Sequence, residues 1–194
     1  MNSIMNTTIK YKICFHSYWH CGSGLSAGAG VDALTIKDKD GLPFVPGKTI
    51  KGLLREAIEE LRAITIGEFE PDMNYLALFG MPNEAGKETH SSEAFFSNVE
   101  LEENERNAII ANKVQEYLYK SISSTAIDEN GIAKEHSLRK IEVVVPCTLY
   151  GTIYHVPESM AEELVKSFGF IKSMGLNRTR GLGRCTITKE EVES

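Results

Sequence analysis

The sequence is short of paired cysteines. Its four, Cys14, Cys21, Cys147 and Cys185, are separated by long, irregular gaps with no Cys-x-x-Cys. A structural zinc site needs closely paired ligands. The pattern therefore argues against a zinc module and for four reduced thiols in or near a core. No run of eighteen apolar residues occurs, which excludes a predicted membrane span. Residues 1–8 are polar and lack a secretory apolar core, so the expected location is cytoplasmic. Internal repeats are absent, and no segment is low-complexity enough to be read as disordered. Basic charge is also scarce: 21 Lys and Arg stand against 27 Asp and Glu, for a net −6. A free-standing nucleic-acid binder is usually basic, but a sum conceals local patches. The acids gather at Glu100, Glu102, Glu103 and Glu105, and again at Glu158, Glu162 and Glu163. The stretch from Phe170 to Cys185 holds Lys172, Arg178, Arg180 and Arg184 and no acid.

What is present suffices for a core. At 194 residues and 42% hydrophobic content, the chain fits a single domain over 1–194 with an insertion at about 81–138. Thr8 to His16 alternates, with Ile9, Tyr11, Ile13 and Phe15 on one side, which predicts a half-buried strand. A glycine-rich loop follows, from Cys21 to Gly30, then a short strand at Val31–Ile36 and a turn at Asp40-Gly41. Thr49 is the expected N-cap of a helix over Ile50–Ile64, where Ile50, Leu53, Leu54, Ala57, Ile58 and Leu61 recur at helical spacing. Residues 68–92 read as irregular, and Ala94–Leu101 as a strand. The polar, heterogeneous stretch 103–136 reads as an insertion with little order when unbound. Leu138–Val145 and Thr148–His155 read as two strands, or one broken at Pro146. A second helix over Pro157–Phe170 and a last strand over Arg184–Thr188 complete the series. Strand, helix, strand, insertion, strands, helix, strand is the order of an α+β sandwich of the ferredoxin or RNA-recognition type, with helices on one face of an antiparallel sheet.

Three elements could carry chemistry. The loop from Gly175 to Arg184 has three glycines and three arginines. Glycines let backbone amides approach an anion closely, and Arg178, Arg180 and Arg184 supply planar forks that match phosphate oxygens. Read alone, the loop fits a tight helix-to-strand connection with solvated arginines equally well. It is neither a Walker loop nor a dinucleotide fingerprint, since it follows a helix and precedes a strand. The second element is the helix start Pro46-Gly-Lys-Thr-Ile-Lys-Gly-Leu-Leu-Arg55, with Lys48, Lys51 and Arg55 near a positive helix terminus. Solvated cations on an amphipathic helix are the plainer reading of these three. The third is Asp32, just after the glycine-rich loop, which fits either a turn cap or a general base or metal ligand. His16 and His20 are loop histidines open to catalytic or merely hydrogen-bonded roles. No Ser-His-Asp or Cys-His arrangement can be read from their order.

Taken in order, six stretches resemble the RAMP superfamily of CRISPR proteins, in particular the repeated backbone subunits of type III effector complexes. They are His20 to Gly24, Gly30 to Asp38, Gly41 to Arg55, Leu78 to Gly80, Ser137 to Glu142 leading into Val145-Pro146, and Gly175 to Gly183. The resemblance covers nearly the whole chain. It departs from the common pattern in the short spacing before Asp32 and in Pro-Gly-Lys-Thr at the helix start. It implies an RNA-recognition-like fold with a β-hairpin thumb, expected between Ser121 and Ser137. It implies a guide-RNA-binding subunit that stacks with further copies of itself and with other CRISPR effector subunits in antiviral defence. RNA contacts would fall to His20, Lys48, Lys51, Arg55, Asn177, Arg178, Thr179, Arg180 and Arg184. Asp32 is implied as the catalytic and metal-binding residue for target RNA cleavage. The cofactor would be a divalent metal, Mg or Mn, with no organic cofactor. The alternatives are a non-catalytic structural subunit of the same complex and a stand-alone endoribonuclease that processes precursor guide RNA.

Overall fold

The computed structural model describes residues 5–25, 31–65, 67, 70–81, 91–125, 129, 131–132 and 137–191. The first strand, β1 (Asn6–Phe15), follows the predicted alternation: Ile9, Tyr11, Ile13 and Phe15 are buried, while the intervening side chains face outward or lie at the margin. Helix α1 (Gly47–Thr65) buries the stripe Ile50, Leu54, Ala57 and Ile58. It begins two residues before the expected cap, so Thr49 lies inside the first turn. Tertiary contact sets this start. The Gly47 amide donates to the Asn98 side-chain oxygen (3.1 Å), and a Cβ on Gly47 would stand 2.0 Å from the Phe96 carbonyl oxygen. The role of a cap thus comes from a residue fifty positions away.

Two helices were not expected. Helix α2 (Met73–Phe79) lies in the stretch read as irregular, capped by Asp72, whose carboxylate accepts from the Tyr75 amide. At seven residues it is too short to display a period. Helix α3 (Glu103–Asn112) lies in the insertion read as poorly ordered. None of its residues is fully buried, so no apolar stripe marks it. Arg106 holds it in place by pairing with both Asp38 and Asp40. Ala94–Leu101 forms only the short strand β2 (Phe95–Phe96), followed by single bridges from Val99 to Val45 and from Glu100 to Tyr150.

Past α3 the chain forms β3 (Tyr119–Ser124) and β4 (Arg139–Val144), paired antiparallel from Tyr119 opposite Val144 to Ser124 opposite Arg139. This is the anticipated hairpin; β3 begins two residues before the expected span and runs into it, and β4 follows it. Much of the connecting segment, including residues 126–128 and 133–136, lies outside the described residues, as do 26–30 of the first glycine-rich loop. After Pro146 come β5 (Thr148–Pro157), α4 (Glu158–Ser167) and β6 (Cys185–Lys189). Pro146 therefore divides two strands of different sheets: β4 belongs to the hairpin and β5 to the main sheet.

The main sheet is antiparallel in the order β2-β5-β1-β6. With the insertion set aside, the chain order is β1-α1-β2-β5-α4-β6, a ferredoxin-like βαββαβ topology. Helices α1 and α4 cover one face and meet at Arg62, which is buried and bridges Glu163 of α4 (2.6 Å) and Asp72 (3.2 Å). All four cysteines are free thiols. No helix among the described residues is long and apolar enough to cross a membrane.

Candidate nucleic-acid interface

The second glycine-rich loop is first of all a docking surface for backbone. The Leu176 amide donates to the His20 carbonyl (3.0 Å), the Gly183 amide to the Tyr18 carbonyl (2.8 Å), and the Arg184 amide to the Ser17 hydroxyl (3.0 Å). A Cβ on Gly175 would stand 2.2 Å from the His20 carbonyl oxygen, and one on Gly183 only 1.9 Å from that of Met174. Both glycines also have positive φ. Gly175 is required because the loop lies flat against residues 17–20, and Gly183 because the two ends of the loop close on each other at Met174. Gly181 differs: its φ is +88° but the space around it is open. Between these anchors Asn177 is left-handed, and Arg178–Arg180 forms one exposed 3-10 turn. Arg178, Thr179, Arg180 and Arg184 therefore project to solvent from a tightly held base. The described residues provide none of the three arginines with an ion-pair partner, although Arg178 shares a groove with Glu56 and Glu60.

His20 is the strut between this loop and the first glycine-rich loop. It is only 2% exposed. Its Nδ1 donates to the Glu142 carbonyl of β4 (2.6 Å) while its own carbonyl accepts from Leu176. Nδ1 thus carries the proton, and Nε2 lies next to Gly22. The imidazole joins hairpin to loop from inside and offers no exposed face. Thr49, at the start of α1, lines the same small cavity as His20 and Gly175. Lys48 is exposed and lies close enough to oppose the upward shift that burial imposes on the Cys21 thiol.

The other two helix cations diverge. Lys51 is half-buried, with its ammonium 5.9 Å from the centre of the Phe96 ring. Burial, then the neighbouring Arg55, pushes its pKa down. Arg55 faces Glu59, at 4.0 Å. Lys48 lines a groove with Phe95, Phe96 and Glu100, while Lys51 and Arg55 lie along the flank of α1 toward β2 and α2.

Asp32 is exposed and sits against β4 at Lys140, near the far end of the β3–β4 ladder. Residues 31–36, expected as a strand, make alternating single bridges instead: Ala33 parallel to Ile141, and Thr35 antiparallel to Gly22. The Asp32 amide donates to the Lys140 carbonyl (2.8 Å), and the Lys140 amide donates to Asp32 Oδ2 (2.6 Å). Asp32 thus acts as a cap through Oδ2, and Oδ1 has no partner among the described residues. Among those residues no three His, Cys, Asp or Glu side chains form a metal-binding set. A single carboxylate oxygen suits a hydrated Mg or Mn ion that completes its shell with water and phosphate oxygens. It does not suit an all-protein cage.

Sequence reasoning named Glu142 only as part of a motif and missed its position. Its carboxylate accepts from the Thr35 amide (3.1 Å), the Thr35 hydroxyl (2.6 Å) and Lys37 (2.8 Å). Burial alone would raise its pKa, but these three donors outweigh burial and hold it below the usual range. Tyr119 and Asn98 were missed as well. Tyr119 lies under the Lys37 ammonium (3.8 Å) and donates to the Gly41 carbonyl (2.8 Å). Such contacts join residues 51 to 107 positions apart, and no local period announces them.

A ferredoxin-like sheet, a β-hairpin inserted before its third strand and a glycine-rich loop before its last define a class of domain. The family to which this chain belongs is the RAMP superfamily, whose model matches residues 12–186. Among solved structures, the chain is similar to one from "Cryo-EM structure of the Type III-B Cmr-beta bound to cognate target RNA". The TM-score is 0.68 at 11% identity, covering 96% of this chain and 98% of that one. It is also similar to one from "Type III-B Cmr-beta Cryo-EM structure of the Apo state", at TM-score 0.67 and 10% identity, over 95% and 97%. At such identities the likeness concerns the fold. No curated protein matches.

Proposed function

We propose that this chain is a guide-RNA-binding backbone subunit of a type III CRISPR effector complex, and that Asp32 cleaves target RNA. RAMP membership and whole-length likeness to chains of a type III-B assembly support the complex. The observation that carries the catalytic part is the pair of hydrogen bonds between Asp32 and Lys140. They fix an exposed carboxylate against β4 at Lys140, with one oxygen free of any partner among the described residues. Lys48, Arg178, Arg180 and Arg184 hold the guide by its phosphates, which sets position without reading sequence. Asn177 and Thr179 lie beside the arginines, and Lys51 and Arg55 would extend the contact along α1. A bound divalent metal would neutralise the phosphate under attack by the adjacent 2′-hydroxyl. Asp32 Oδ1 would hold that metal, and Lys140 would orient Asp32. Further copies and other effector subunits would complete the RNA channel.

The test is an assembled complex carrying Asp32→Ala. Target cutting is expected to fall by at least two orders of magnitude with guide content unchanged. Wild-type cutting would favour the non-catalytic subunit, and loss of guide would make Asp32 structural. The stand-alone endoribonuclease has lost its main support, because His20, its candidate base, is buried. Specific cleavage of repeat RNA by the isolated chain would restore it.

A further inference from the structure

We propose that Glu142 is the positioning residue of the Asp32 site, resting on the reading of Asp32 as the cleavage centre. Asp32 does not touch Glu142, but Glu142 stands two residues after Lys140, which holds Asp32, and bonds the segment that follows Asp32. The Glu142 amide donates to the Ala33 carbonyl (3.0 Å), one residue beyond Asp32. Its carbonyl accepts from His20 (2.6 Å), which in turn anchors the arginine loop. Its carboxylate gathers the Thr35 amide, the Thr35 hydroxyl and Lys37.

The backbone bonds alone would leave residues 31–37 as a row of single bridges, which slide easily because no continuous ladder sets their register. The carboxylate supplies what the ladder lacks. It is largely buried, at 16% side-chain exposure, and charge-assisted bonds of this kind are about twice as strong as neutral ones. Lys37 adds a second link. Its ammonium also lies over the Tyr119 ring of β3, so both strands of the hairpin grip the Asp32 segment through one ion pair. Lys37 is thereby occupied within the protein and does not serve as a phosphate contact. Residues 33–37 and His20 thus converge on one glutamate of the hairpin, and His20 links it to the arginine loop.

A displacement of about 1 Å at a reacting group can cost two orders of magnitude in rate. Complexes are assembled with Glu142→Ala, Glu142→Gln, Thr35→Val and Asp32→Ala. Single-turnover cutting is measured at saturating target, alongside guide content and target affinity. Hydrogen exchange is followed at the Asp32 and Lys140 amides. Glu142→Ala is expected to cut about 10- to 100-fold more slowly, with guide content and target affinity unchanged. Glu142→Gln keeps an acceptor for Thr35 and falls between Glu142→Ala and wild type. Thr35→Val together with Glu142→Ala loses no more than Glu142→Ala alone.

Wild-type cutting by Glu142→Ala overturns the proposal. So does a loss of guide or of target affinity in proportion to the loss of cutting, which would mark a general structural role. If Asp32→Ala itself cuts normally, the cleavage reading fails, and exchange then decides the positioning claim alone. Faster exchange of both amides in Glu142→Ala upholds the positioning; unchanged exchange refutes it.

Discussion

Gly175 and Gly181 both have φ near +90° within one loop, yet they should respond very differently to alanine. At Gly181 the added Cβ meets nothing within 4 Å, so only left-handed strain opposes it, about 1–2 kcal/mol. At Gly175 the same strain applies, and the Cβ would also stand 2.2 Å from the His20 carbonyl oxygen. That oxygen accepts the Leu176 amide, so separating loop from strand leaves a donor and an acceptor unsatisfied, about 1–3 kcal/mol more. Gly175→Ala should therefore cost about 2–5 kcal/mol and Gly181→Ala about 1–2. In a chain of this size each kcal/mol lowers the melting temperature by about 2–4 °C. The expected losses are about 10 °C and about 4 °C, read by calorimetry on the two variants side by side. Equal losses would refute the reasoning, because they would mean that the loop does not lie on residues 17–20. A neutral Gly175→Ala would refute it more directly.

The cationic turn should show itself in salt dependence. Arg178→Ala with Arg180→Ala removes two phosphate contacts, so guide affinity should fall and the log–log salt slope should become shallower by about 1.4. An unchanged slope would remove both arginines from the RNA path. Burial pushes Cys147 up to about 12 and Cys185 to about 11. At pH 8 both thiols stay protonated and should alkylate far more slowly than a free thiol; rapid labelling would show that they are not enclosed. Glu142 is held below its ordinary pKa. Its contribution to stability is therefore complete above the ordinary glutamate value, about 4.3, and is lost as pH falls below it through the folded value. Acid unfolding of Glu142→Gln should accordingly be less steep below that pH than unfolding of the wild type. Identical acid profiles would show that the lowered pKa is not coupled to folding.

The parts of the fold legible in the sequence were those written in local patterns. Strand β1 declares itself by alternation, α1 and α4 by their apolar stripes, and the turn at Asp40-Gly41 by its dipeptide; there Gly41 takes φ +79°. Their order was enough to give the ferredoxin-like topology. What was missed is held by distant partners. Helix α3 has no buried residue and rests on Arg106 with Asp38 and Asp40. The start of α1 depends on Asn98 and on the close approach of Gly47 to Phe96. At the site, Asp32 and the arginine turn were visible as residue types beside glycines. That His20 would be enclosed, and that Glu142 would collect Thr35 and Lys37, depends on β4 lying between two loops. Nothing within either loop states this.

The net charge of −6 is a poor guide to this surface, because cations here divide into three groups. Arg62, Arg106 and Lys37 are engaged with Glu163, Asp72, Asp38, Asp40 and Glu142 inside the fold, where they join helices and loops. Lys12, Arg55 and Lys166 pair with acids nearer the surface. Lys48, Arg178, Arg180 and Arg184 belong to neither group: among the described residues no acid lies within ion-pairing distance of them. A ligand phosphate meets the field of these unpaired cations, since the paired ones are already neutralised within a few ångströms and screened beyond about 8–10 Å at physiological salt. Adding acid elsewhere on the molecule, as in the cluster at Glu102, Glu103 and Glu105 on α3, changes the sum but barely changes that local field. A chain can therefore be acidic overall and still present a phosphate-binding edge. The number that should govern its salt response is the count of unpaired cations along that edge, not the net charge.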